Sequence, residues 1–276
     1  CIKQTNDGGY VVAGYNVLAD YPCMRLTKYD SNGNLEWDEC YSDGQPGAEY
    51  GDYVHQHSDG GFIIVGDFLV KTNSLGSVEW TNEDFSVGVE IQETTSGGYV
   101  SLNNVSIVNS EQNESFSSPI ITKLNSQGEI LWSQIYGDEE QNEFGISIKQ
   151  TADEGYVCLI SVINGYDILK MSEDGGVEWS QNYSNEAFLG SLNLQGTINN
   201  AEMSYINSTS DGGYVVSGQY SYNYFGMNYA GVFITKLNNS GIESWSQNYL
   251  DDPFGGDKYI NMVEETFDEG YIICGS

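Results

Sequence analysis

Asp211-Gly212-Gly213-Tyr214-Val215-Val216-Ser217-Gly218 is a turn followed by a strand. The glycine pair supplies positive φ for a tight hairpin turn. The apolar run behind it occupies consecutive positions, which implies a strand covered on both faces. The turn recurs as Asp7-Gly8-Gly9-Tyr10, Asp59-Gly60-Gly61-Phe62, Ser96-Gly97-Gly98-Tyr99, Asp153-Glu154-Gly155-Tyr156 and Asp268-Glu269-Gly270-Tyr271. Its aromatic residues are separated by 52, 37, 57, 58 and 57 positions. Between consecutive copies stands a second motif, a lysine followed nine residues later by a tryptophan: Lys28/Trp37, Lys71/Trp80, Lys123/Trp132, Lys170/Trp179 and Lys236/Trp245. This second motif uses all five tryptophans of the chain, so the two motifs mark one tandem structural unit.

Each unit contains four short strands. An alternating segment such as Ile146-Ser147-Ile148-Lys149-Gln150-Thr151 precedes the glycine turn. The apolar strand follows, and a third strand ends at the lysine, as in Phe233-Ile234-Thr235-Lys236-Leu237. Asp30-Ser31-Asn32-Gly33 and Asn125-Ser126-Gln127-Gly128 suit a type I turn closed by a glycine bulge, and the fourth strand carries the tryptophan. No stretch has a capped 3.6-residue period. The expected fold is therefore all-β, a β-propeller of four-stranded antiparallel blades. Five Lys–Trp hairpins and six glycine hairpins give twenty-two strands, about five and a half blades. The blades are placed at 1–41, 50–84, 88–136, 143–183 and 203–249, with a partial one at 258–276. The chain is expected to be a single propeller domain and part of a longer polypeptide whose ring holds six to eight blades, since a half blade leaves edge strands open. Trp37, Trp80, Trp132, Trp179 and Trp245 are expected to wedge between blades. Counting back from the turn sets Lys28 opposite Glu36, Lys71 opposite Glu79 and Lys170 opposite Glu178, as exposed pairs worth a few tenths of a kcal/mol each.

Lysine and arginine total 9 of 276 residues against 40 aspartates and glutamates, a net charge of −31, and Arg25 is the single arginine. Nucleic-acid backbones require clustered cations, so a nucleic-acid partner is excluded. Anionic membrane surfaces are disfavoured, and no apolar run approaches the roughly 18–20 residues of a membrane helix, so membrane insertion is not expected.

With these motifs the chain resembles the extracellular β-propeller repeats of the Asp-Gly-Gly-Tyr type over essentially its whole length. The resemblance implies a large secreted or surface protein without chemistry of its own. The Asp30…Gly33…Trp37 spacing also resembles the tryptophan-docking motif of quinoprotein propellers, but the chain has no adjacent cysteine pair and one arginine. Ser172-Glu173-Asp174-Gly175-Gly176-Val177-Glu178-Trp179 resembles the Asp-box of sialidases. The arginines a sialidase needs for its substrate carboxylate are missing, so no sialidase activity follows.

Binding is expected on the long variable loops between the second and third strands and between blades: 103–118, 185–200 and 219–231. Tyr220, Tyr222, Tyr224, Phe225 and Tyr229 form the most suggestive cluster, suited to sugar stacking or a protein contact, or to packing within the loop itself. The acidic runs 138–143 and 251–257, with Asp251, Asp252 and Asp257, offer hard oxygen ligands for calcium, although neither has an ordered calcium-loop spacing. No cofactor is required. His55 and His57 are the only histidines and have no evident third ligand or nucleophile partner, so a structural place lining the channel is expected for them.

Cys23 and Cys40 bracket the first Lys–Trp hairpin and are expected to form a cross-strand disulfide. Cys1 is expected to pair with Cys274 or with residues beyond this sequence, and Cys158 to be a buried thiol. Asn104, Asn113 and Asn238 head accessible glycosylation sequons. Together these readings point to the extracellular space or cell surface. The expected role is a non-enzymatic structural or adhesive module, a unit of a surface protein or filament, with a protein or glycan partner at the variable-loop face and a capacity for self-assembly. Carbohydrate recognition by the Tyr-rich segment is the alternative, and a glycan-active hydrolase or lyase the next.

Overall fold

The computed structural model describes residues 1–16, 23–42, 51–83, 88–109, 114–137, 141–184, 197–225, 227–250 and 259–275. They form twenty-two strands in five four-stranded antiparallel sheets and one two-stranded sheet, with no helix among the described residues. The chain is all-β and built of propeller-type blades, as its repeats require. The first blade holds β1 (Ile2–Gln4), β2 (Tyr10–Asn16), β3 (Cys23–Tyr29) and β4 (Leu35–Tyr41). The second holds β5 (Gly51–Gln56), β6 (Phe62–Gly66), β7 (Leu69–Thr72) and β8 (Val78–Asn82). The third holds β9 (Gly88–Glu93), β10 (Tyr99–Asn109), β11 (Glu114–Leu124) and β12 (Ile130–Ile135). The fourth holds β13 (Phe144–Gln150), β14 (Tyr156–Val162), β15 (Gly165–Met171) and β16 (Val177–Ser184). The fifth holds β17 (Thr197–Ser208), β18 (Tyr214–Tyr224), β19 (Met227–Leu237) and β20 (Glu243–Leu250). The last sheet pairs β21 (Ile260–Glu265) with β22 (Tyr271–Gly275).

Two compact units divide the chain. One comprises residues 1–105 and 120–136, the other residues 106–119 and 137–276. In the first unit the apolar run of β6 is buried at every position. Phe62 and Ile64 face a cluster with Val11, Met24 and Leu26, whereas Ile63 and Val65 face Ile91, Tyr99 and Leu124. Period-2 alternation thus feeds two cores at once, and each such side chain contributes about 1.5–3 kcal/mol on burial. In the second unit β18 does the same. Tyr214 and Val216 join Val157, Leu159 and Ile168, while Val215 meets Val263 and Ile273.

The glycine turn divides its labour. The first glycine holds the left-handed φ, +86° at Gly60 and +80° at Gly212, and Glu154 and Glu269 occupy that place at +68° and +62°. The second glycine is needed for room instead: a Cβ on Gly61 would lie 2.1 Å from the carbonyl oxygen of Thr72 on β7. Each Lys–Trp turn closes on a glycine with positive φ at residue 33, 76, 128, 175 or 241. Ser172–Trp179 is therefore the same turn as its four counterparts.

Cys23 and Cys40 are joined by a disulfide across β3 and β4, with Cα atoms 5.7 Å apart. The bridge closes a loop of sequence separation 17. Chain-entropy arguments give it about 3 kcal/mol. The double variant Cys23→Ser/Cys40→Ser is expected to lose about that amount in urea denaturation. The wild type with reductant should match it, and coincident curves with and without the bridge would refute this. Cys1 and Cys274 are exposed thiols that are not joined to one another. Cys158 is buried, with its sulfur 3.8 Å from the carbonyl oxygen of Leu159.

Candidate functional site

The lysines of the repeat are buried, not exposed. Lys28, Lys71, Lys170 and Lys236 retain only 3, 2, 4 and 6% of their surface. A bulge after each lysine sets it opposite the tryptophan, as Lys28 is opposite Trp37. The ammonium group then reaches inward to the glycine turn. Lys28 Nζ donates to Asp7 Oδ2 at 2.9 Å, Glu36 Oε2 at 2.7 Å and the Tyr29 carbonyl at 3.0 Å. Lys71 repeats the set with Asp59, Glu79 and Thr72. Hydrogen bonds from Thr5, Lys28 and the amide of Gly9 hold the carboxyl of Asp7 well below the usual carboxylate range, and Thr209, Lys236 and Gly213 do the same for Asp211. In the third blade Ser96 stands in place of the aspartate, and Lys123 Nζ donates to Thr94 Oγ1 and Ser96 Oγ. The charged half of the repeat is thus an internal clasp that ties the glycine turn to the third strand.

The seams between blades use aromatic edges and one further clasp. Trp37 meets Phe62, Trp80 meets Tyr99, Trp179 meets Tyr214 and Trp245 meets Tyr271, edge to face with ring centroids 5.6–6.0 Å apart. Trp132 is partly buried in β12. At the glycine-turn end, Glu93 accepts from the amide and hydroxyl of Ser58 at 2.7 and 2.6 Å, and Glu265 accepts from those of Ser210 at 2.6 and 3.1 Å. His57 stands just beyond β5 at the turn, with Nε2 3.2 Å from Glu93 Oε1 and Nδ1 3.0 Å from Asp59 Oδ2. It fills the place that threonine holds in the other turns.

At the opposite end of the blades two of the expected loops, 103–118 and 219–231, are largely strand, while 185–196 lies outside the described residues. β10–β11 and β18–β19 are hairpins lengthened to eleven residues per strand. Tyr220 and Tyr222 lie in β18 with their rings buried, and Tyr229 of β19 stacks on Tyr222 at 5.1 Å. Burial pushes the Tyr220 phenol up to about 12. Tyr224 pairs with Met227 across the turn. What the hairpin exposes is its tip: Phe225, 85% exposed at φ +50°, and Met227. Val108 near the end of β10 and Ile163 in the β14–β15 turn are exposed in the same unit. At the same end of the first blade, Tyr15 is exposed.

Below this end the second unit holds an open cleft of about 520 Å³, lined by Tyr166, Glu202, Gln219, Tyr259 and Asn261 among others. Gln219 Nε2 donates to Glu202 Oε2 at 2.7 Å, and its Oε1 accepts from the Ile260 amide at 3.2 Å. Of these residues only Gln219 falls in a segment expected to bind, at the edge of 219–231, because the others converge from different blades.

Asp251, Asp252, Asp257 and Asn113 lie outside the described residues. Asn104 stands inside β10, whereas Asn238 is exposed in a turn, its Oδ1 accepting the amides of Ser240 and Ile242.

No protein-family model and no curated protein matches the chain. Among solved structures it is similar to a protein of unknown function from Bacteroides caccae, at 10% identity over 87% of this chain and 94% of that one, with a TM-score of 0.40. It is similar to a protein from Bifidobacterium bifidum s17 provisionally named an exo-beta-1,3-galactanase, at 9% identity over 93% and 92% of the two chains, with a TM-score of 0.48. It is also similar to extracellular domains 1-2 of Drosophila Semaphorin 1b, at 9% identity over 86% of this chain and 53% of that one, with a TM-score of 0.43. Identity at this level says nothing of function.

Proposed function

We propose that the chain is a non-enzymatic extracellular propeller module whose work is adhesion to a protein surface. The exposed tip of the β18–β19 hairpin carries this reading. Phe225 is a bulky residue in the left-handed region, 85% exposed beside Met227. Such a side chain is costly to leave in water and costly in backbone strain, a combination that marks contact sites. Val108 and Ile163 add apolar area in the same unit. The Cys23–Cys40 bridge and the resemblance to extracellular Asp-Gly-Gly-Tyr repeats support the compartment.

The test is adhesion of beads coated with the purified protein to immobilised protein surfaces and to one another. Phe225→Ser/Met227→Ser is expected to reduce attachment at least about tenfold, as loss of a central apolar anchor does, with the melting temperature shifted by no more than about 2 °C. Undiminished attachment by the double variant would refute the reading. So would turnover of a glycan panel by the wild type.

A further inference from the structure

We propose that the cleft of the second unit is a binding site for a neutral oligosaccharide, distinct from the hairpin tips. The innermost strands of successive blades shape it by one shared device. Regular pairing breaks between Gly145 and Ser147 in β13, between Met203 and Tyr205 in β17, and between Ile260 and Met262 in β21. Each break leaves one residue without an opposite number: Ile146, Ser204 and Asn261. All three line the cleft. Each stands ten positions before the aromatic residue of its glycine turn, at Tyr156, Tyr214 and Tyr271. The second and third blades break at the same place, at Asp52 and Val89, so the bulge is a built feature of the repeat. A bulge bends its strand and re-aims a side chain, and three in adjacent blades open a concavity that regular strands would have filled.

The lining chemistry selects the ligand. Gln219 is fixed by three contacts: it donates to Glu202 at 2.7 Å and accepts from Ile260 at 3.2 Å and from Ser204 at 3.3 Å. Glu202 is thereby held as an oriented acceptor for hydroxyl groups. Asn261, exposed at its bulge, offers both a donor and an acceptor. Tyr259 is half exposed and presents a flat apolar face with a polar tip, the surface on which a sugar ring stacks. The cleft's 520 Å³ suits a small ligand. None of the described residues lining it is cationic, and the chain carries a net charge of −31, so an acidic glycan is repelled.

Saturation-transfer NMR of the full chain with short gluco-, galacto-, manno- and N-acetylglucosamine oligosaccharides tests the assignment, with sialyllactose as the acidic arm. Transfer to at least one neutral glycan is expected, with none to sialyllactose. Glu202→Gln and Tyr259→Ala, both at exposed positions, should each weaken binding at least about tenfold at unchanged melting temperature, and Asn261→Ala should weaken it less. Phe225→Ser/Met227→Ser should leave it intact, which separates this site from the adhesive one. No transfer to any neutral glycan, transfer that survives both Glu202→Gln and Tyr259→Ala, or a preference for the acidic arm would each overturn the assignment.

Discussion

Gly61→Ala is expected to destabilise the protein by about 3 kcal/mol, while Gly60→Asn costs about 1 kcal/mol or less. The contrast runs against the intuition that a turn glycine is kept for its φ. Gly60, at +86°, is the residue in the left-handed region, yet glutamate stands in that place in two other turns, at Glu154 and Glu269. A non-glycine residue there costs about 1 kcal/mol, which the turn tolerates. Gly61 has no such latitude. Its Cβ would fall 2.1 Å from the Thr72 carbonyl and 2.8 Å from Lys71 Nζ, so β6 and β7 would have to separate where they are fully buried. Gly9, Gly98, Gly155 and Gly213 meet a third-strand carbonyl at 2.2–2.3 Å in the same way. Urea denaturation of the two variants measures the difference, and a Gly61→Ala no worse than Gly60→Asn would refute the close-approach argument.

The same turn shows what was legible in the sequence and what was not. Two spaced motifs led to blades of four strands because each stands at a strand boundary. Glycine marks the turn, and consecutive apolar residues such as Phe62-Ile63-Ile64-Val65 require partners on both faces. The lysine environment was hidden by one residue of register. Counting across the Lys–Trp turn without its bulge sets Glu36 opposite Lys28, and the pair then looks superficial. With the bulge, Trp37 takes that place and the lysine points into the turn. The extended hairpins were hidden by composition. Residues 219–231 are rich in Tyr, Asn and Ser, which reads as loop, although Tyr220, Tyr222 and Tyr224 alternate with the period of a strand. The cleft was illegible because Tyr166, Glu202 and Tyr259 come from three blades, and the bulges that gather Ile146, Ser204 and Asn261 leave no mark in hydropathy.

Lys71→Ala should be the other severe substitution, with an expected loss of about 2–4 kcal/mol. Lys71 is 2% exposed, and removing it leaves a void and strips one donor from the Thr72 carbonyl that it contacts at 2.9 Å. Asp59 and Glu79 retain 46% and 44% side-chain exposure, so water can solvate them once the lysine is gone. That keeps the cost below that of stranding a fully buried charge. In the third blade Thr94 and Ser96 receive Lys123, so hydroxyl groups serve as acceptors in that place. Lys71→Met, which fills the void but donates nothing, should recover part of the loss.

The clasp also fixes the pH response. Hydrogen bonds to Asp7 and Asp211 depress both carboxyls below their ordinary value. Their contribution is therefore complete above the unfolded carboxylate value of about 3.9 and is lost as pH falls through the depressed folded values. Burial opposes the charge on Lys28, but hydrogen bonds to Glu36 and Asp7 outweigh it and raise its value, so its contribution is lost only as pH climbs through that raised value. Stability should thus be flat through neutral pH and fall below about pH 4. The double variant Asp7→Asn/Asp211→Asn should lower the melting temperature at pH 7 and flatten the acid limb of the wild type. An acid limb of unchanged steepness in that variant would show that the clasp does not set the pH response.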